Sequence, residues 1–178
     1  NVSLGSGLYY GDASGGAHSK YPDIRRVGCA FAVIDQVGNL VFAAKFPLVG
    51  EIQTVYRGEL YVLVVLVRLV SNDSVLELVS DNEAVFKMFN GGYKKATMSC
   101  SNCEFYYELF QLIQSRNLSL TVRWMPSHLK DKDCKKTRPD TVSDLDICGN
   151  DYADKYAEQG AADAQVPSQV ASECIYQF

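Results

Sequence analysis

Four acids stand where their neighbours make a carboxylate hard to explain by solubility alone. Asp12 lies in "LYYGDASGGA", where strand formers run into a glycine turn, and Glu59 lies in "YRGELYVLVVLVRL", beside a run of valines and leucines. Asp81 follows "LELVS" and precedes "NEAVFKMF"; Asp154 lies in "GNDYADKYAEQGA". Each has an ordinary explanation on its own: a turn residue for Asp12, a favoured helix N-terminus for Glu59, a helix cap for Asp81, a surface acid for Asp154. A carboxylate among valines is nonetheless costly unless something pairs with it. Four of them, at the ends of neighbouring strands and on facing helices, suit hard divalent cations, which take oxygen ligands. Two such ions, Mg²⁺ with Mn²⁺ as a substitute, are what two-metal cleavage of a phosphodiester uses. His128, in "WMPSH" ahead of a polar stretch, adds the side-chain type suited to carrying a proton near neutral pH.

The elements that must position these residues follow from the pattern. Leu8 to Gly11 reads as a strand; Val27 to Asp35 and Leu40 to Val49 read as two more, joined by the tight-turn composition Gln36-Val37-Gly38-Asn39. Thr54 to Val70 has the valine content of a strand, but its length and the cap at Thr54 favour a buried helix. Val75 to Ser80 is a short strand. Asn82 to Asn90 is a helix closed by Gly91-Gly92, and Glu104 to Ser115 is another. Leu118 to Met125 alternates as a strand, a charged stretch runs to Asp146, and Asn150 to Ala162 is helical. This order predicts an α/β fold: a five-stranded mixed sheet, antiparallel hairpin first, with helices on both faces.

Composition narrows the class. The chain has 178 residues, 47% hydrophobic and 21% charged, as expected for a globular domain with a sizeable core. Its longest apolar run, Leu60 to Val67, is too short to cross a bilayer, so no membrane partner is expected. The start at Asn1 reads as an excised domain or a trimmed product, and no secretory signal is visible there. The net charge of −4 counts mildly against nucleic-acid binding, but Arg25-Arg26, Lys94-Lys95 and Lys130 to Arg138 are local basic clusters. Cys29 reads as a core residue, and Cys100-Ser-Asn-Cys103 as half a zinc site whose other half would need Cys134 and Cys148, fourteen residues apart. Free thiols in a reducing intracellular compartment are the expectation.

The motifs carry a family resemblance. "YYGDASGG", "YRGELYVLVVLVRL", "LVSDNEAVF", "VRWMPSHLK" and "GNDYADKYAEQGA" resemble, in order, the first-strand aspartate, the R-x-E-L helix, the TDS segment, the strand-to-histidine segment and the GNE-x-x-D helix of type 1 ribonuclease H, the nuclease domain also found in retroelement reverse transcriptases. The match spans residues 8 to about 162, dividing the chain into a ribonuclease H domain at 1–162 and a tail at 163–178. The resemblance implies hydrolysis of the RNA strand of RNA–DNA hybrids, leaving 5′-phosphate and 3′-hydroxyl ends. It implies that Asp12 bridges two metal ions, that Glu59 and Asp81 hold the ion on the leaving-group side, and that Asp154 helps hold the ion that activates water. His128 would assist proton transfer or product release. Substrate contacts are expected from Ser14, Asn82, Asn150, Lys135 and Lys136, with the cations after His128 reaching phosphates. Either a free enzyme or a domain of a larger polyprotein or assembly fits.

Departures from the family pattern bear on substrate contacts. "DAS" stands for the usual DGS, Glu83 stands where glutamine is common, Leu129 to Cys148 is a longer segment than in bacterial or retroviral members, and no Trp-bearing basic protrusion is visible. The competing function is a catalytically idle domain serving as a structural subunit, against which four mutually repelling acids argue. An integrase-like enzyme on the same fold would order its acids differently. For the cysteines the expected outcome is simple: elemental analysis of protein purified without chelator finds zinc well below one equivalent. A full equivalent lost on Cys100→Ser would show a real site.

Overall fold

The computed structural model describes residues 4–98, 101–129 and 136–176. Strands β1 (Gly7–Ser14), β2 (Gly28–Ile34) and β3 (Leu40–Pro47) form an antiparallel meander. The β2–β3 turn is tied by the Asp35 carboxylate, which accepts from the amides of Val37 at 3.0 Å and Asn39 at 2.8 Å. Strands β4 (Val75–Ser80) and β5 (Ser119–Trp124) join on the other side of β1, both parallel, giving the order β3-β2-β1-β4-β5. The hairpin-first mixed sheet expected from the sequence is therefore present.

β1 has different partners on its two edges. It pairs with β2 as far as Ser14, but with β4 only as far as Gly11 opposite Ser80. The pattern predicts an end at Gly11; the strand runs to Ser14 because β2 continues where β4 has stopped. Asp12 is the first residue beyond the last parallel rung. It is held rigidly on one edge and open on the other.

Helix α1 (Val55–Leu69) crosses between β3 and β4. Thr54 caps it, accepting from the Arg57 amide at 3.2 Å. Its valines stay helical because the helix is buried between the sheet and α4 (Cys103–Ser115). A Cβ on Gly58 would lie 2.6 Å from Val27 Cγ1 and 2.8 Å from Ala13 Cβ, so this turn of α1 rests directly on β1 and β2. The close approach delivers Glu59, the next residue, to the end of β1. Arg57 Nη1 donates to Asn102 Oδ1 at 2.6 Å, and its guanidinium lies 4.0 Å over the Phe105 ring, tying the start of α1 to α4.

Between β4 and α4 lie α2 (Glu83–Asn90) and α3 (Gly92–Met98). The sequence pattern reads Gly91-Gly92 as a stop. Gly91 does end α2, but Gly92, at φ +82°, turns the chain straight into a further short helix. Within the stretch assigned to a tail, Ser168–Ile175 forms α6, with Ala171 buried.

Side chains alternate along β1, so Tyr9 and Ala13 pack toward α1 while Tyr10 faces α5 (Asp144–Asp163). This helix crosses β1, β2 and β3 on small residues; Ala153, Ala157 and Ala161 are fully buried, and a Cβ on Gly149 would lie 2.3 Å from the Tyr10 ring. α5 begins six residues before the predicted Asn150. Its true start was concealed in the charged stretch: Ser143 and Asp146 form a reciprocal capping box. Asp146 is buried, yet it accepts from Arg123 Nη2 at 2.8 Å, Ser143 Oγ at 2.8 Å and Tyr10 Oη at 3.3 Å. Burial pushes its pKa up, but the Arg123 and Ser143 bonds outweigh burial and hold it below the usual carboxylate value.

A carboxylate with a lowered folded-state pKa contributes stability that is present above its unfolded pKa and lost as pH falls through the folded value. Asp146→Asn should therefore lower unfolding free energy at pH 7 by about 1.5–3 kcal/mol, the range for hydrogen bonds to a charged group. It should also flatten the acid side of the stability profile. Urea melts from pH 3 to 7 measure both, and an unchanged acid slope would show that Asp146 is not the group involved.

Candidate active site

The three strand-end acids converge. Oxygens of Asp12, Glu59 and Asp81 lie within 4.8 Å of one another, with Asp12 and Glu59 buried and Asp81 half-buried. One backbone amide serves two of them: Ala13 N donates to Asp12 Oδ1 at 2.7 Å and to Glu59 Oε1 at 3.2 Å. Ser80 Oγ lies 3.4 Å from Glu59 Oε2, and the Ser80 hydroxyl also accepts from the Asn82 amide. Asp81 leaves β4 one residue after the last rung, and the Trp124 indole N–H holds its carbonyl at 3.1 Å.

Asp154 stands apart from the trio but lines the same open cleft of about 350 Å³, with Ser14, Asn82, His128 and Glu158 also on its walls. Its charge acts on both Asp12 and Asp81. Asn150, one turn earlier on α5, lies close enough to Asp81 for its side chain to favour the ionised carboxylate. Asn150 Oδ1 is nonetheless buried without a partner among the described residues.

The electrostatics show what the site lacks. Burial drives the Asp12 pKa well above the usual carboxylate range, and the charges of Asp81 and Asp154 add to it. Glu59 is raised by burial and then by Asp12. Asp81 is raised chiefly by burial, with Asp154 adding and His128, Asn150 and Lys136 opposing. Beneath them, burial pushes the Cys29 thiol up, with Glu59 and Asp12 contributing. Positive charge is the missing component, and the donor set is all oxygen, including the unpartnered Asn150 Oδ1. These residues fit a hard divalent cation.

The remaining predicted residues divide. Ser14 faces the cleft, its hydroxyl accepting from the Gly16 amide at 3.3 Å. Asn82 also reaches it, but its Oδ1 is engaged in capping α2 through the Val85 amide. His128 is exposed at the mouth with φ +58°. Lys135 lies outside the described residues, as do Cys100 and Cys134. Two cations expected at phosphates have partners within the protein: Lys136 Nζ donates to Ser127, and Arg138 donates to Val142 O and Asp144 Oδ1, each at 2.6 Å. Glu158 was not expected in the cleft. The available signal was its spacing, four residues after Asp154 on the same helix face.

No protein-family model matches this sequence, and no curated protein is similar to it. Solved structures are. The PFV RNase H domain superimposes with a TM-score of 0.61 at 15% identity, over 90% of this chain and 96% of that one. LC11-RNase H1, isolated from compost by a metagenomic approach and solved with an RNA/DNA hybrid, gives 0.56 at 15% identity over 88% and 97%. The foamy viral protease-reverse transcriptase gives 0.59 at 13% identity; 90% of this chain corresponds to 20% of that one. The chain thus has the ribonuclease H fold.

A carboxyl group whose folded-state pKa is raised contributes stability that is lost as pH rises through that value. Metal-free protein should therefore lose stability between weakly acidic and alkaline pH, and Asp12→Asn should relieve part of the loss. The thermal midpoint of the variant in EDTA at pH 8 should rise, by about 2–4 °C for each kcal/mol of repulsion removed. A lower midpoint would mean that the acids are not in mutual conflict.

Proposed function

We propose that this protein is a metal-dependent nuclease that hydrolyses the RNA strand of RNA–DNA hybrids, leaving 5′-phosphate and 3′-hydroxyl ends. The observation that carries the reading is the convergence of Asp12, Glu59 and Asp81 within 4.8 Å at the open end of β1 and β4. The comparison structures lend support, because LC11-RNase H1 was solved with an RNA/DNA hybrid.

Asp12, Glu59, Asp81 and Asp154 would hold two divalent cations, Mg²⁺ or in its place Mn²⁺. Bound there, such ions lower the pKa of an attacking water and neutralise charge on the departing oxygen. The chain's own residues do the rest. The Ala13 amide and Ser80 hydroxyl keep Asp12 and Glu59 in fixed orientations, so little reorganisation is needed when charge develops. Asn150 orients Asp81. Ser14 and Asn82 line the approach for a nucleic-acid strand. His128, exposed at the mouth, takes or gives a proton at the leaving group. A place within a larger polyprotein is consistent with the fraction of the foamy viral chain that a domain of this size occupies.

The test uses a hybrid labelled on its RNA strand, with duplex DNA and duplex RNA as controls. Wild-type protein with Mg²⁺ should cut only the hybrid. Asp12→Asn should reduce the rate by more than about a thousandfold, beyond the loss expected from one charge-stabilising donor. An Asp12→Asn protein cutting at near the wild-type rate refutes the assignment. A correctly folded wild type that cuts nothing while still binding hybrid would instead mark the chain as a structural subunit.

A further inference from the structure

We propose that Lys136 is a positioning residue for His128: its ammonium closes back on Ser127 and fixes the backbone that presents the imidazole at the cleft. This rests on the nuclease reading above, in which His128 moves a proton.

Lys136 Nζ donates to the Ser127 carbonyl at 3.1 Å and to the Ser127 hydroxyl at 2.5 Å. The contact spans nine positions, so it closes a loop rather than decorating a helix face. Upstream, the segment is anchored: Met125 and Pro126 are buried, and the Met125 amide donates to Ser80 O at 3.1 Å. Beyond that anchor His128 takes the left-handed conformation at φ +58°, which a residue bearing a side chain seldom adopts. Such a backbone persists only where its surroundings hold it. Lys136 grips the carbonyl immediately before it. A hydrogen bond from a charged donor is stronger than a neutral one, and the two contacts occupy two of the three ammonium donors.

The ammonium also acts electrostatically on Asp81, as the His128 side chain does, so both lie near that acid. Holding them together keeps the imidazole facing the acids instead of turning into solvent. A lysine that tracked phosphates would leave its ammonium outward.

Wild type, Lys136→Met, His128→Ala and the double variant are compared on hybrid at saturating Mg²⁺. Methionine keeps an unbranched stem and removes the donor. His128→Ala should lower kcat by roughly ten- to a thousandfold, and Lys136→Met by about tenfold with KM nearly unchanged. In the double variant the Lys136 change should have no further effect, because coupled residues are not additive. Lys136→Arg should recover part of kcat. Amide hydrogen exchange of the 125–129 segment, read in metal-free protein, should accelerate severalfold in Lys136→Met. A Lys136→Met variant that raises KM at constant kcat overturns the proposal in favour of a phosphate contact. So does a loss that multiplies with His128→Ala, or unchanged exchange. If wild type cuts no hybrid, the nuclease reading fails, and the exchange result alone still decides whether Lys136 fixes this segment.

Discussion

The amide of Ala13 donates to two carboxylates at once, and much of the molecule exists to make that possible. Asp12 and Glu59 are buried, carry the same charge when ionised and come from segments far apart in sequence. Their approach is set by packing: α1 lies on β1 and β2 with only the hydrogen of Gly58 between them, and Arg57 fastens the same turn to α4. Low dielectric magnifies the conflict and, by the same physics, magnifies the attraction for a compact cation. The repulsion among these acids and the pull they would exert on a cation therefore have one electrostatic origin.

Much of this could be read from residues alone where local rules and tertiary demands agreed. Asp12, Glu59 and Asp81 stood out because a carboxylate beside valines or at a strand end needs a reason. Thr54 marked the start of α1 against the strand preference of its valines. Where two local signals competed, the reading failed. Gly91-Gly92 read as a terminator, but Gly92 reverses the chain into α3. The start of α5 was masked by charge, although Ser143 and Asp146 carried a capping signature. The partners of the basic run were not readable. Nothing in "KKTRPD" says that Lys136 turns back to Ser127 while Arg138 turns forward to Asp144. Composition marks a basic run, but only the path of the chain decides which charges remain available.

α5 links the two ends of the molecule. Its first turn is fastened by Asp146 to Arg123 and Tyr10, on a surface away from the acids. Its middle carries Asn150 and Asp154 to the cleft, and its later turns lie on β2 and β3 through alanines. Asp154 is therefore set by the docking of a whole helix rather than by a local turn. This explains why it stands off from the tight trio while sharing their cleft: a helix crossing three strands moves as a rigid rod, and its side chains reach where the rod allows.

The late position of that helix has a consequence during synthesis. Asp12, Glu59 and Asp81 are all made well before α5, and β1 can form its hairpin with β2 early. The strip of sheet that α5 covers stays bare until residues 144–163 have cleared the exit tunnel and docked. Until then Tyr10 has no Gly149 against it and Asp81 has no Asn150. The nascent chain therefore carries Asp12, Glu59 and Asp81 in an unfinished cleft. Docking of α5, late in translation, separates the time at which these acids are made from the time at which Asp154 joins them in the cleft.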